Sequence, residues 1–139
     1  EGHDMTSKGP RRAAADGEWA GRLTQAREFL ESAHSLVTLA ENKSYNGAIT
    51  LMVTAAIAYA DAITAKLKGV VNKQDHQAAV RLLRETLGSS LPEKQEKFFR
   101  RLLGRKDEVN YGARGTTQEE AERLIAELDD FAAWAEGVL

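Results

Sequence analysis

The chain has 139 residues, of which 42% are hydrophobic and 29% charged, with a formal net charge of −2 and no cysteine. That length suits one domain around one core. The near-neutral charge excludes a global attraction to nucleic acid or anionic lipid, so any contact with RNA or a nucleotide has to be local. The missing cysteines exclude disulfides and thiolate metal sites, in keeping with a reducing, cytoplasmic setting.

Glu1 to Asp4 ahead of Met5 read as an appended leader, and residues 1–16, with glycine, proline and paired arginines, as a mobile N-terminal tail before a helical domain over 17–139. Trp19, Leu23, Ala26, Leu30, Ala33, Val37 and Ala40 recur in steps of four and three, which predicts a first amphipathic helix. Turn-prone residues from Asn42 to Gly47 end it. Ala48 to Leu67 is apolar on nearly every face and predicts a central second helix. Its longest apolar run, Ala48 to Ala60, is broken by Thr50 and Thr54 and followed by Asp61. That run is shorter than the ~20 residues a bilayer requires, so no membrane association is expected.

Gly69 to Gln74 read as a loop. Asp75 is placed to cap a short third helix carrying Ala79, Val80, Leu83 and Leu87, and Gly88 to end it. Ser90 and Glu93 have capping-box spacing around Pro92, which predicts a fourth helix through Phe98, Leu102 and Val109 to about Tyr111. Thr117 and Glu120 repeat that spacing ahead of a fifth stripe of Ala121, Leu124, Leu128, Phe131, Ala135 and Val138. With no alternating strand pattern, the fold expected is all-α: an up-and-down bundle of four long helices, each about 30 Å at ~1.5 Å per residue, plus one short helix across an end.

Three features bear on chemistry. Glu31 and His34 have the i, i+3 spacing of di-iron bundles, but such sites need two of these pairs and further carboxylates, so they read as surface polar residues and neither metal nor cofactor is expected. Asp61 interrupts the apolar second helix on a face with Thr54, Ile57 and Thr64. It is either a buried or intersubunit carboxylate in need of partners, or a partly solvated residue near a helix end. The fourth helix ends in Arg105-Lys106-Asp107-Glu108-Val109-Asn110-Tyr111, part of a run in which Lys97, Arg100, Arg101 and later Arg114 alternate with acids. Such mixed charge suits a solvated face as well as a phosphate contact.

Ala56–Gly69 (AIAYADAITAKLKG), Asp75–Leu83 (DHQAAVRLL), Leu91-Pro92-Glu93 and Lys106–Gly112 (KDEVNYG) together resemble the HEPN domains, and the resemblance covers the chain from about Glu18 onward. It implies a bundle of four or five helices that pairs into a homodimer, with equivalent helix ends meeting around a shared cleft. Many such proteins are metal-independent ribonucleases with an arginine, four to six intervening residues and a histidine. The cation can neutralise phosphate while the imidazole assists attack by a ribose hydroxyl.

Here the motif is degenerate. Arg105 is followed after four residues by Asn110, or Lys106-Asp107 takes the arginine-polar pair and Tyr111 the place of the histidine. Asparagine carries no proton at neutral pH, and tyrosine titrates near ~10. Arg105 and Asn110 also lie ~140° apart on an ideal helix. The resemblance thus implies an RNA- or nucleotide-binding dimer with an inactive ribonuclease site. Arg101, Arg105, Lys106 and Arg114 would meet phosphate, Tyr111 would stack, and Asp107 and Glu108 would flank the motif. The alternatives are an active metal-independent ribonuclease, or a toxin–antitoxin component partnered with a nucleotidyltransferase.

Overall fold

The computed structural model describes residues 11–39, 45–73, 76–110 and 115–139, without the side chain of Asn110. Its elements are strand β1 (Arg11–Ala13), helix α1 (Glu18–Leu39), helix α2 (Asn46–Lys68), strand β2 (Val70–Asn72), helix α3 (His76–Leu87), a 3-10 turn (Gly88–Ser90), helix α4 (Glu93–Asn110) and helix α5 (Gln118–Val138). The all-α bundle expected from periodicity is thus present, with five α-helices among the described residues.

Helix α2 is the axle. Ile49, Met52, Val53, Ala55, Ala56, Tyr59, Ala62 and Ile63 are all at most 1% exposed, so α1, α3, α4 and α5 pack on different sides of it. By length and composition α2 could cross a membrane, with a mean hydropathy of 1.6 over an 18-residue window, but 78% of that window is buried in the bundle. That is the position of a core helix. The apolar floor is completed by Phe131, packed against Phe98, Phe99 and Trp134 with ring centroids 5.4–5.7 Å apart.

Side-chain pairs along the seams fix the directions. Trp19 meets Lys66, Arg22 meets Asp61, and Leu36 lies 3.6 Å from where a β-carbon on Gly47 would sit, so α1 and α2 run antiparallel. Arg27 pairs with Glu136 and His34 with Asp129, which makes α1 and α5 antiparallel. Lys94 with Asp130, Arg101 with Glu127 and Arg105 with Glu120 do the same for α4 and α5.

Two expectations are corrected. Arg11–Ala13, expected in a mobile tail, instead pair antiparallel with Val70–Asn72, expected in a loop; Arg11 sits opposite Asn72 and Ala13 opposite Val70. Three residues are too few to give a period-2 signal, and long-range pairing rather than local propensity fixes them. Arg11 also forks onto Glu85 of α3 at 2.8 and 2.9 Å, tying this edge down. The capping box at Ser90 is not formed. Gly88, at φ +56°, turns the chain into the 3-10 segment that contains Ser90, and the Pro92 carbonyl accepts the first α4 hydrogen bonds from Gln95 and Glu96. Thr117 does cap α5, its hydroxyl accepting the Glu120 N–H at 3.1 Å. Asp75, the cap expected for α3, lies outside the described residues.

Phe131→Ala removes the ring on which three others converge. It is expected to cost about 3–5 kcal/mol, read as a lower urea midpoint at unchanged slope.

Candidate functional site

The end of α4 is organised by Arg105, whose side chain is only 5% exposed. Its Nε donates to Glu120 Oε2 at 2.9 Å, and its Nη2 to Thr116 Oγ1 at 2.8 Å and the Gly115 carbonyl at 3.2 Å. The Thr116 hydroxyl passes the chain on, donating to Asn46 Oδ1 at 2.6 Å at the start of α2, while the Tyr45 N–H donates to the Thr116 carbonyl at 3.2 Å. One guanidinium thus joins the end of α4, the entry to α5 and the entry to α2. Its Nη1 is buried without a hydrogen bond and lies 3.7 Å from Glu108 Oε1.

Beside it runs a groove of about 380 Å³ between α4 and α5, lined by Arg101, Arg105, Glu108, Glu120, Arg123 and Leu124. Arg123 also borders a second groove of about 350 Å³ that includes Phe98, Gln95, Glu127 and Asp130, so the two hollows adjoin along the same seam. Arg101 is held by Glu127 at 2.8 Å but keeps 54% of its side chain exposed. Lys106 is half-buried, Asp107 and Glu108 are exposed, and Lys106 and Arg123 have no carboxylate partner among the described residues.

Residues 20–138 match the family model of the HEPN domain. The chain belongs to the HEPN family. No curated protein matches it significantly in sequence. In this HEPN domain the arginine that sequence reasoning placed against phosphate is spent inside the fold, while Arg101 and Lys106 remain at the surface. Tyr111, Arg114 and the Asn110 side chain lie outside the described residues. Arg123 was missed by sequence reasoning: one arginine among Glu119, Glu120 and Glu122 carries no signal until α5 is laid against α4.

The remaining candidates separate from this groove. His34 Nε2 lies 2.7 Å from Asp129 Oδ1 across the α1–α5 seam, and the described residues contain no group of three or more His, Cys, Asp or Glu placed to hold a metal ion. Asp61 is buried, 4% exposed, with Arg22 Nη1 at 3.6 Å from its Oδ2. That settles its two alternatives in favour of burial. Arg22 also bonds Glu18, as does Arg12 of β1, so two arginines face two carboxylates around the first turn of α1. Burial pushes the Asp61 carboxyl up to about 7, raised further by Glu18 and opposed by Arg22 and Arg12. Glu18 goes the other way, held at about 2 by hydrogen bonds from Arg12, the Ala15 N–H and Arg22 against some desolvation.

A carboxyl raised in the folded state binds its proton more tightly there than when unfolded. Its stabilising contribution is therefore complete below about 4 and is lost as the pH rises through about 7. Asp61→Asn should remove that loss, so urea unfolding should show the variant gaining on wild type between about pH 4 and pH 7; a gap independent of pH would contradict it. Arg105→Ala removes a buried guanidinium together with its bonds to Glu120, Thr116 and Gly115 and is expected to cost about 3–5 kcal/mol. Arg105→Lys should recover only part of this, because an ammonium cannot reproduce the guanidinium fork.

Proposed function

We propose that this HEPN domain binds RNA or a nucleotide as a homodimer, through phosphate contacts in the α4–α5 groove, and that it lacks ribonuclease activity. The observation that carries the proposal is the division among the cations of the groove and of the adjoining end of α4. Arg105 is buried and neutralised by Glu120, whereas Arg123 and Lys106 have no carboxylate partner among the described residues. Arg101 can join them, since an exposed pair such as that with Glu127 is worth only about 0–1 kcal/mol. Arg114 and Tyr111 follow α4 directly in the chain and complete the proposed phosphate and stacking set.

Cleavage by a ribose hydroxyl calls for a group that takes up a proton near neutrality. Among the described residues His34 faces Asp129 and His76 opens α3, and neither lines the groove. The proposed pairing draws support from apolar surface left on the α1–α2 hairpin: Leu39 is 72% and Leu36 38% exposed, and Leu51 and Ile57 are only partly covered. A toxin–antitoxin pairing with a nucleotidyltransferase is the alternative that family membership alone carries.

Fluorescence anisotropy with single-stranded RNA at low ionic strength should show binding that weakens steeply with salt and leaves the RNA intact. Arg123→Gln should lower affinity about tenfold and flatten the salt slope by about one. No association by the wild type would refute the proposal, and cleavage abolished by Arg105→Ala would restore the ribonuclease alternative. Sedimentation of a strict monomer at high concentration would remove the dimer.

A further inference from the structure

Four arginines of this domain each pair with a carboxylate on another element. Arg11 takes Glu85 at 2.8 Å, Arg27 takes Glu136 at 2.6 Å, Arg101 takes Glu127 at 2.8 Å and Arg105 takes Glu120 at 2.9 Å. Arg12 and Arg22 share Glu18, but Asp61 supplies the second carboxylate there. A different arrangement holds at Glu96. Arg84 of α3 and Arg100 of α4 both close on Glu96, whose side chain is 10% exposed, Arg84 through Nη1 and Arg100 through Nη2 at 3.1 Å.

Burial raises the Glu96 carboxyl, but the hydrogen bonds from Arg84 and Arg100 outweigh it and hold the group below its usual value, so it stays ionised at neutral pH. The two arginines flank a basin of about 470 Å³ at the junction of α3, the 3-10 turn and α4, with Ser89 and Lys97 on its rim. Lys97 lies 3.4 Å from Glu93, an exposed pair that is readily exchanged. Three cations, Arg84, Arg100 and Lys97, therefore face two carboxylates, Glu96 and Glu93, leaving a net charge of +1.

The geometry is that of a prepared anion site. The shared carboxylate fixes the direction of both guanidinium groups, while each spends only one of its nitrogens on Glu96. The remaining N–H donors, the Lys97 ammonium and the Ser89 hydroxyl stay available to tetrahedral oxygens, with the ordering cost already met within the fold. We propose that the Arg84–Arg100–Lys97 basin around Glu96 is a second phosphate-binding site, distinct from the α4–α5 groove, which takes a phosphodiester of a polynucleotide strand. That the ligand is a polynucleotide rests on the function proposed above; the anion site itself does not.

Titration of the 15N-labelled protein with inorganic phosphate, and separately with short single-stranded RNA, tests it. Both should move the amide signals of Ser89 and Lys97 and the side-chain Nε–H signals of Arg84 and Arg100. Lys97→Gln, which leaves Glu96 untouched, and Arg84→Gln should each weaken binding at the basin about tenfold. The response of Arg123 should persist, and it shows that the variants are folded. Basin signals that respond to neither ligand overturn the proposal, and a response to phosphate but not RNA overturns the assignment to a polynucleotide. RNA that moves only the Arg123 and Lys106 signals overturns the basin's assignment to a polynucleotide and upholds the groove; RNA that moves only the basin signals upholds the basin and overturns the groove.

Discussion

Helix α2 has almost no face to give to water, and the other elements are arranged to relieve it of that need. Its alanines at 55, 56, 58, 60 and 62 are all at most 5% exposed, so neighbouring helices come close on several sides at once. A helix buried all round offers no polar face to orient it, and orientation comes from its few polar positions and from its ends. Asn46 at one end joins the Thr116–Arg105 chain, and Asp61 further along meets Arg22. At the far end Gly69, at φ +72°, returns its N–H to the Ala65 carbonyl and leads into β2, whose pairing with β1 covers the turn.

The seams between the outer helices are laced with ion pairs of two kinds. Exposed pairs such as Arg27–Glu136 contribute little energy but favour one register, because shifting α5 by a residue would set Arg27 opposite Ala135 or Gly137 in place of a carboxylate. Buried ones obey a stricter rule, since a charge taken from water without a partner costs several kcal/mol. Arg105 satisfies it with Glu120, and the Arg12, Arg22, Glu18 and Asp61 group satisfies it with two charges of each sign. Asp61 is the weakest member, because its nearest cation is at 3.6 Å and burial outweighs that attraction.

Much of the helical frame was legible in the residues. The stripe from Trp19 to Val37 located α1, the apolar run located α2, and Thr117 marked the start of α5, because these are local signals repeated over many turns. What escaped has long-range causes. The β1–β2 pair joins segments more than fifty residues apart, and each strand alone reads as loop. Arg105 looked like a surface cation because helix periodicity gives a face, whereas its burial depends on how the connection through Gly115 and Thr116 folds back over it. Asp61 stood out in the sequence as a carboxylate needing a partner, yet nothing local identified that partner as Arg22, thirty-nine residues earlier in the chain.

The position of Arg105 is where family resemblance and physical chemistry pull apart. A motif arginine can serve a ligand only if the energy gained at phosphate exceeds what its release costs. Breaking a buried pair by withdrawing one partner costs about 3–5 kcal/mol, while a charge-assisted hydrogen bond returns about 1.5–3 kcal/mol. With Thr116 and Gly115 also bound to the same guanidinium, the balance favours leaving Arg105 in place. The cheaper source of positive charge is a side chain with no carboxylate to abandon, which in this groove means Arg123. A fold that holds Arg105 as a staple still presents a cationic groove through Arg101 and Arg123, and under the proposed function it is these neighbouring positions on α4 and α5 that meet the phosphate.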